Sequence, residues 1–245
     1  MLRAAPLDLG GDVDEQRIIF ADMMAAAPIP ADVQTSAGTL GGIPVVNVDL
    51  AGADSGKVIL YFHGGAYAIG SAASSVGLAS DLARRTGTRL VSVDYRLAPE
   101  APHPAATEDA VSAYRGLLDS GLSPSRIAIA GESAGAGLAA ATLVALKNEG
   151  LPQPSSAVLM SPWADLTLAG DSITEKAPVD PALTPKASNA EPQTTSPTAT
   201  RPTPSAPSTP ISRACHPSSS RAAHTKSSST TQPDSQHAPP PPTSP

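Results

Sequence analysis

Cysteine, aromatic residues and long apolar runs are all scarce in this chain of 245 residues, which has one Cys, two Phe, four Tyr and one Trp. A lone cysteine, Cys215, excludes a disulfide framework and a cysteine-based metal cluster. No apolar run reaches the roughly 20 residues of a membrane-spanning helix, and the N-terminus lacks the apolar core of a secretory signal. We therefore expect a cytoplasmic protein with no membrane span.

Basic residues are also few, with 16 Lys and Arg against 22 Asp and Glu and a net charge of −6. A nucleic-acid-binding protein needs a basic face to neutralise phosphates, and no such face can be assembled from this composition. We therefore expect no nucleic-acid partner.

Residues 186–245 lack what a folded core needs. Of these 60 residues 36 are Pro, Ser or Thr, none is Gly, Leu, Val, Met or aromatic, and Ile211 is the only large aliphatic residue. Such a segment cannot bury enough apolar surface to offset about 1–2 kcal/mol of backbone ordering per residue. We predict an ordered domain over residues 1–185 and a disordered Pro/Ser/Thr-rich tail over residues 186–245.

Two explanations fit this tail. It is either a native linker or interaction segment, in which the proline clusters favour polyproline II, or the product of a shifted reading frame. The shifted frame is favoured because the composition changes within a domain. The encoding DNA decides between them, since a shifted frame requires that another frame past codon 185 restores strand, Asp and His signals.

The most informative run is Gly131-Glu132-Ser133-Ala134-Gly135. It lies between an apolar strand pattern at 126–130 and an Ala-rich helical stretch at 136–147. Strand, G-x-S-x-G and helix in this order are typical of a nucleophile elbow, a sharp turn that raises a serine hydroxyl above the sheet edge. Glycine is needed at both ends because a side chain there would crowd the turn. The pattern predicts Ser133 as the catalytic nucleophile, and the alternative is a serine that caps a helix.

A second motif, His63-Gly64-Gly65-Ala66-Tyr67, follows a buried strand pattern at 58–62. Acyl transfer through a serine builds negative charge on the carbonyl oxygen, which fixed N–H donors must meet. A glycine-rich loop can supply such donors, together with the N–H after the nucleophile. The predicted oxyanion hole thus comprises the N–H groups of Gly64, Gly65, Ala66 and Ala134. The alternative is a flexible turn, and we expect His63 to shape the loop and not to act as the base.

Helical and strand patterns alternate along the first 160 residues. We expect helices at 13–27, 72–85, 107–118 and 136–147, and strands at 43–48, 58–62, 90–93, 127–130 and 157–160. Pro44 indicates that its strand starts there or lies at an edge. Helices that alternate with short apolar strands indicate a mostly parallel sheet covered by helices.

Four motifs occur in one order: His63–Tyr67, Asp94–Glu100, Gly131–Gly135 and Ser161–Thr167. Together they resemble the bacterial hormone-sensitive-lipase family of α/β-hydrolase esterases, which includes monoterpene lactone hydrolases, over about residues 10–185. The resemblance implies an α/β-hydrolase fold, an N-terminal helical cap over about residues 1–40, no cofactor and no metal. It also implies hydrolysis of a small acyl ester or lactone. Two departures are mild, since Ala66 keeps its N–H and Glu132 keeps a carboxylate in place of the commoner aspartate.

The family's remaining catalytic groups have no counterpart here. Its triad acid and histidine follow the serine, after the last two strands, and neither pattern occurs after residue 185. We expect Asp94, Asp165 and His103 to be structural. The tail histidines, His216, His224 and His237, would need a rigid scaffold to replace the base.

These observations predict an α/β-hydrolase domain that is C-terminally incomplete and lacks its last strands. By resemblance it is a serine carboxylester or lactone hydrolase, inactive or impaired because the triad acid and histidine are missing. The alternative is a non-catalytic protein whose proline-rich tail serves interaction. Substrate identity and oligomeric state stay open.

Overall fold

The structure, a computed structural model, describes residues 7, 11–26, 28–52, 56–167 and 170–176. The predicted disordered tail at 186–245, its three histidines and the predicted boundary at residue 185 lie outside the described residues.

Helices and strands alternate along most of the described chain, with two strands in succession near its start. The helices are α1 (Val13–Ala25), α2 (Val76–Thr86), α3 (Ala105–Asp119), α4 (Ala134–Asn148) and α5 (Asp171–Lys176). The strands are β1 (Val33–Leu40), β2 (Ile43–Leu50), β3 (Val58–Phe62), β4 (Arg89–Val93), β5 (Ile127–Glu132) and β6 (Ser156–Met160).

The described strands form one sheet in the order β1-β2-β4-β3-β5-β6. The β1–β2 and β2–β4 pairs are antiparallel, whereas β4, β3, β5 and β6 run parallel. Phe62 at the end of β3 pairs with Gly131 near the end of β5. Because parallel strands present their carboxyl ends at one edge, the loop after β3 and the turn after β5 are neighbours.

Burial on both faces explains why the central strands read as continuous apolar runs. All five residues of β3 are buried. One face packs against α3 and α4 through a cluster that includes Leu60, Phe62, Ile129 and Leu138. The other face packs against α2 through a cluster that includes Tyr61 and Ala79.

Sequence reasoning missed strand β1 and extended the predicted helical cap too far along the chain. Strand β1 (VQTSAGTL) is largely exposed and mixes small and polar residues, so it carries no apolar alternation. Its partner β2 sets its conformation through an eight-residue antiparallel register. The helical cap predicted over about residues 1–40 is therefore too long, since the described helix ends at Ala25.

Pro44 is the second residue of β2, as a strand start predicts. The strand itself lies inside the sheet, so the edge alternative is wrong for β2 as a whole. Pro44 opposes Thr39 of β1, while the register with β4 begins only at Val45. The proline, which has no N–H to donate, thus lies just before the part of β2 that pairs on both sides.

Candidate active site

Ser133 forms the sharp turn between β5 and α4. Its backbone has φ 53° and ψ −119°, a region that side chains rarely adopt and that costs of order 1–3 kcal/mol. The turn is held by its backbone groups: the N–H of Ser133 donates to the carbonyl of Met160 at 2.9 Å. Its carbonyl accepts from Gly137 at 3.1 Å and from Trp163 at 3.0 Å. A strained serine fixed on both sides is the geometry expected of a nucleophile elbow.

The two glycines of the motif permit close backbone approach. A Cβ on Gly135 would lie 2.1 Å from the carbonyl oxygen of Phe62, and a Cβ on Gly131 would lie 2.3 Å from that of Gly135. The first turn of α4 therefore packs directly against the end of β3. This contact brings the N–H of Ala134 next to the loop that begins at His63.

The loop after β3 is a tight turn. Gly65 has φ 117° and accepts hydrogen bonds from the N–H groups of Ala68 at 3.0 Å and Ile69 at 2.8 Å. A Cβ on Gly65 would lie 2.1 Å from the carbonyl oxygen of Ile69, so only glycine fits there. The next residue, Ala66, also has a positive φ, 57°. The loop is thus a hydrogen-bonded turn with two successive residues at positive φ.

One of the predicted oxyanion donors is already used. The N–H of Gly64 donates to Oε1 of Glu132 at 2.8 Å, so its assignment to the oxyanion hole is wrong. Glu132 precedes the nucleophile, and its carboxylate ties the two loops together. The N–H groups of Gly65, Ala66 and Ala134 have no hydrogen-bond acceptor among the described residues.

His63 is buried beneath the loop. Its ring stacks on Tyr95 with centroids 4.3 Å apart, and Nδ1 lies 2.7 Å from the carbonyl oxygen of Gly64. The hydroxyl of Tyr95 donates to the carbonyl of His63 at 2.6 Å. Burial lowers the pKa of His63 to about 4, so the ring is neutral at pH 7. With Nδ1–H donated to the carbonyl of Gly64, the imidazole is hydrogen-bonded to the loop itself.

A hydrogen-bonding residue that sequence reasoning missed, Arg17, docks α1 on these loops. Its Nε donates to the carbonyl of Ala68 at 2.9 Å and its Nη2 to that of Ala98 at 3.0 Å. Its guanidinium also forms a two-point ion pair with Glu100, at 2.8 and 2.7 Å. The ion pair lowers the pKa of Glu100 to about 2. No local sequence pattern predicts the contacts with Ala68, Ala98 and Glu100, because each of these partners is more than fifty residues from Arg17.

Asp94 and Asp165, the two carboxylates considered from the sequence, both accept hydrogen bonds from backbone N–H groups. Asp94 accepts from the N–H of Ala72 at 2.8 Å, and Asp165 accepts from the N–H of Thr167 at 2.9 Å. Asp109, which is buried, is held by Arg96 in a charge-assisted pair at 2.7–3.0 Å. No hydrogen bond joins Ser133 Oγ to the side chain of another residue in the described ranges.

An apolar cavity of about 360 Å³ lies beside the elbow. Its lining includes Tyr67, Gly137, Ala140, Ala141, Val144 and Trp163. Exposed His103 also contributes to the lining, but Ser133 does not. The ring centroids of Tyr67 and Trp163 are 6.2 Å apart, which places aromatic surface close to Gly137 on α4.

Metal-binding clusters and membrane-spanning helices are both absent from the described residues. These residues contain no group of three or more His, Cys, Asp or Glu side chains arranged to hold a metal ion. Among their helices, none combines the length and the apolar character required to cross a bilayer.

Comparison with known proteins shows the family to which this chain belongs. The family described as alpha/beta hydrolase fold matches residues 59–217. A crystal structure of an esterase from the bacterial hormone-sensitive lipase family is 39% identical, with a TM-score of 0.74, and the match covers 81% of this chain and 68% of that one. The chain belongs to the bacterial hormone-sensitive-lipase family of α/β-hydrolases. The predicted fold class, a mostly parallel sheet covered by helices, is confirmed, and the family match continues past residue 185.

Curated relatives carry hydrolase names. An acetyl-hydrolase of Streptomyces hygroscopicus is 51% identical over 121 residues, which are 49% of this chain and 40% of that protein. A putative acetyl-hydrolase, LipR, of Mycobacterium tuberculosis is 38% identical over 170 residues, 69% of this chain and 55% of that protein. The chain thus spans about half the length of these relatives.

Proposed function

We propose that this chain carries the nucleophile and the oxyanion hole of a serine carboxylic ester hydrolase, with a small acyl ester or lactone as its substrate. Ser133 supplies the attacking Oγ. The N–H groups of Gly65, Ala66 and Ala134 receive the charge that develops on the carbonyl oxygen. The observation that supports this most directly is the strained Ser133 turn packed against a loop whose N–H donors have no described acceptor.

The electrostatics of the loop favour this role. Glu132 accepts the N–H of Gly64, and the neutral ring of His63 is hydrogen-bonded to the Gly64 carbonyl. The N–H groups of Gly65, Ala66 and Ala134 are left to a substrate. Backbone donors fixed in this way need no reorganisation when the oxyanion forms. The adjoining cavity is lined mainly by apolar side chains, with Arg96, His103 and Thr107 also contributing, and suits a short acyl or alcohol group.

We further propose that the chain on its own turns over esters very slowly. A serine hydroxyl is a weak nucleophile until a neighbouring base removes its proton, and the described residues place no such base on Oγ. In subtilisin, a serine hydrolase of another fold, removal of the catalytic histidine lowers turnover by roughly 10⁶. An oxyanion hole alone retains roughly 10³–10⁴ over water.

Hydrolysis of p-nitrophenyl butyrate by the purified chain, compared with the Ser133→Ala variant, tests both parts. We expect a small rate above buffer that Ser133→Ala largely retains, because an oxyanion hole acts without the serine when no base activates it, and negligible labelling of Ser133 by a fluorophosphonate probe. Rapid, stoichiometric labelling that Ser133→Ala removes would contradict the missing base. A rate no higher than that of buffer would contradict the oxyanion hole and favour the non-catalytic alternative.

A further inference from the structure

The loop after β3 contains three consecutive peptide units between His63 and Ala66, and their hydrogen bonds follow two different patterns. In a planar trans peptide, the carbonyl of one residue and the N–H of the next point in opposite directions. A group that holds the carbonyl therefore also fixes the direction of that N–H. The partner of each carbonyl thus determines where the next N–H in the loop is directed.

In the second and third units, the carbonyl is hydrogen-bonded and the N–H is not. The carbonyl of Gly64 lies 2.7 Å from Nδ1 of His63, and that of Gly65 accepts from two N–H groups farther along the loop. The N–H groups of Gly65 and Ala66 have no acceptor among the described residues. The direction of each of these N–H groups is therefore set by the partner of the carbonyl in the same peptide unit.

The first unit is held at both ends. The hydroxyl of Tyr95 donates to the carbonyl of His63 at 2.6 Å, and the N–H of Gly64 donates to Oε1 of Glu132 at 2.8 Å. A Cβ on Gly64 would lie 2.2 Å from the same carboxylate oxygen and 2.6 Å from the carboxyl carbon. The carboxylate of Glu132 therefore packs directly against the Cα atom of Gly64.

Glycine has the widest choice of backbone angles, so external bonds have to fix the position of Gly64. Gly64 belongs to both the first and the second peptide unit, and a rotation at this residue would redirect the N–H of Gly65. The bond to Glu132 opposes such a rotation, and a hydrogen bond to an ionised carboxylate is roughly twice as strong as one between neutral groups. Because Glu132 directly precedes Ser133, the same bond also fixes the loop relative to the proposed nucleophile.

We infer that Glu132 is a positioning residue of the proposed ester hydrolase, which holds the N–H of Gly64 and thereby orients the two proposed oxyanion donors that follow in the loop. The inference rests on the proposed function, because the orientation of these donors matters to catalysis only where a substrate oxygen becomes negatively charged. Since one oxygen of the carboxylate is bound to Gly64, Glu132 acts through this glycine and not on the substrate.

Hydrogen exchange of the full chain, followed by NMR, tests whether Glu132 holds Gly64. Glu132→Ala leaves the Gly64 N–H without its acceptor, and we expect its exchange to accelerate roughly ten- to a hundredfold. Glu132→Gln keeps an oxygen that accepts this N–H, so a much smaller acceleration is expected. The matched control is Glu149→Ala, which removes another glutamate but breaks only an exposed ion pair with Arg115. Exchange at Gly64 that Glu132→Ala leaves unchanged would overturn the inference.

Hydrolysis of p-nitrophenyl butyrate separates positioning from folding, with the folded fraction of each variant taken from urea unfolding. We expect Glu132→Ala to lower kcat roughly tenfold per folded molecule with KM little changed, because misaligned donors weaken only the stabilisation of the transition state. Glu132→Gln should retain most of the parent kcat, and Glu149→Ala all of it. Equal losses in Glu132→Ala and Glu132→Gln would overturn the inference, since the charge and not the hydrogen bond would then matter.

The parent chain and Glu132→Ala together keep this inference apart from the proposed function. A parent chain with no rate above buffer rejects the proposed oxyanion hole, and the positioning role with it. A parent rate that Glu132→Ala leaves intact rejects the positioning role alone. Faster exchange at Gly64 with an intact rate would also reject it, because the bond would then order the loop without aligning the donors.

Discussion

On the β3 side of Ser133, every loop is tied to another element, whereas on the β6 side the strand that holds the serine N–H is itself exposed. Gly64 is bound to Glu132, His63 to Tyr95, and Ala68 to Arg17 of α1. In contrast, β6 has four exposed residues and a fifth, Met160, that is partly buried. Two of the proposed oxyanion donors, Gly65 and Ala66, lie on the β3 side, while the third, Ala134, follows the serine in the turn that Met160 of β6 holds.

The two halves of the proposed chemistry depend on different parts of the chain. The proposed donors lie on loops that are tied to each other by Gly64 and Glu132 and to α1 by Arg17. Proton transfer from Ser133 would need a base, and no side chain of the described residues is hydrogen-bonded to its Oγ. The proposed oxyanion hole and the proposed absence of a base can therefore be tested separately.

The largest effect is expected from Gly135→Ala. Its Cβ would lie 2.1 Å from the Phe62 carbonyl oxygen, and neither backbone can move without separating α4 from β3. We expect a loss of more than about 3 kcal/mol of folding free energy, measured by urea unfolding. Gly170→Ala is the control, because its Cβ would meet nothing closer than 3.9 Å. A Gly135→Ala protein as stable as the parent would show that the contact between α4 and β3 can widen to admit a methyl group.

The next largest effect is expected from acidification, which should lower the free energy of unfolding through His63. An unfolded histidine has a pKa near 6.5, while burial lowers that of His63 to about 4. The unfolded state therefore binds more protons between these values, so stability is fully present above about pH 6.5 and falls as the pH drops toward about 4. The full contribution is about 3 kcal/mol.

Urea unfolding at about pH 7 and about pH 4.5 measures this slope. His63→Phe should be less stable at neutral pH but should have a flatter pH dependence. His103→Gln, at an exposed histidine, is the control that should keep the parent slope. If His63→Phe also keeps the parent pH dependence, a group other than His63 causes the loss of stability on acidification.

Arg17→Ala should have a smaller effect. It removes donors from the carbonyls of Ala68 and Ala98, and we expect a loss of about 1–2 kcal/mol. Hydrogen exchange should accelerate at Ala68 and Ile69, because their turn loses its tie to α1. Arg85→Ala, which breaks only an exposed pair with Asp81, is the control and should change neither quantity measurably. If the exchange rates at Ala68 and Ile69 are unchanged in Arg17→Ala, Arg17 docks helix α1 but does not stabilise the turn.

The smallest effect expected is a gain, from Ser133→Gly. Glycine adopts φ 53° and ψ −119° without the strain that serine bears, but it costs about 0.5–1 kcal/mol more conformational entropy. We expect Ser133→Gly to be about 1 kcal/mol more stable than Ser133→Ala, which keeps the strain. Equal stabilities would indicate that the elbow is relaxed.

Local sequence predicted much of this architecture. Buried apolar runs such as 58–62, flanked by glycine-rich loops, identified the central strands, and G-x-S-x-G placed Ser133 between β5 and α4 as observed. Strand β1 was missed because its pairing with β2, and not its own residues, makes it a strand. Helix α2 begins at Val76, after the predicted residue 72, and the N–H of Ala72 donates instead to the distant Asp94.

What the sequence determined by itself was the order and type of the central elements, the nucleophile turn and the composition change near residue 185. These depend on properties that act over a few residues: apolar periodicity, glycine geometry and residue type. Only the tertiary structure decided that Gly64 donates to Glu132, that Arg17 is bonded to the loop after β3 and that the described β6 is exposed. Each of these depends on which distant backbone groups meet, because a hydrogen bond is formed by proximity in space and leaves no local trace in the sequence.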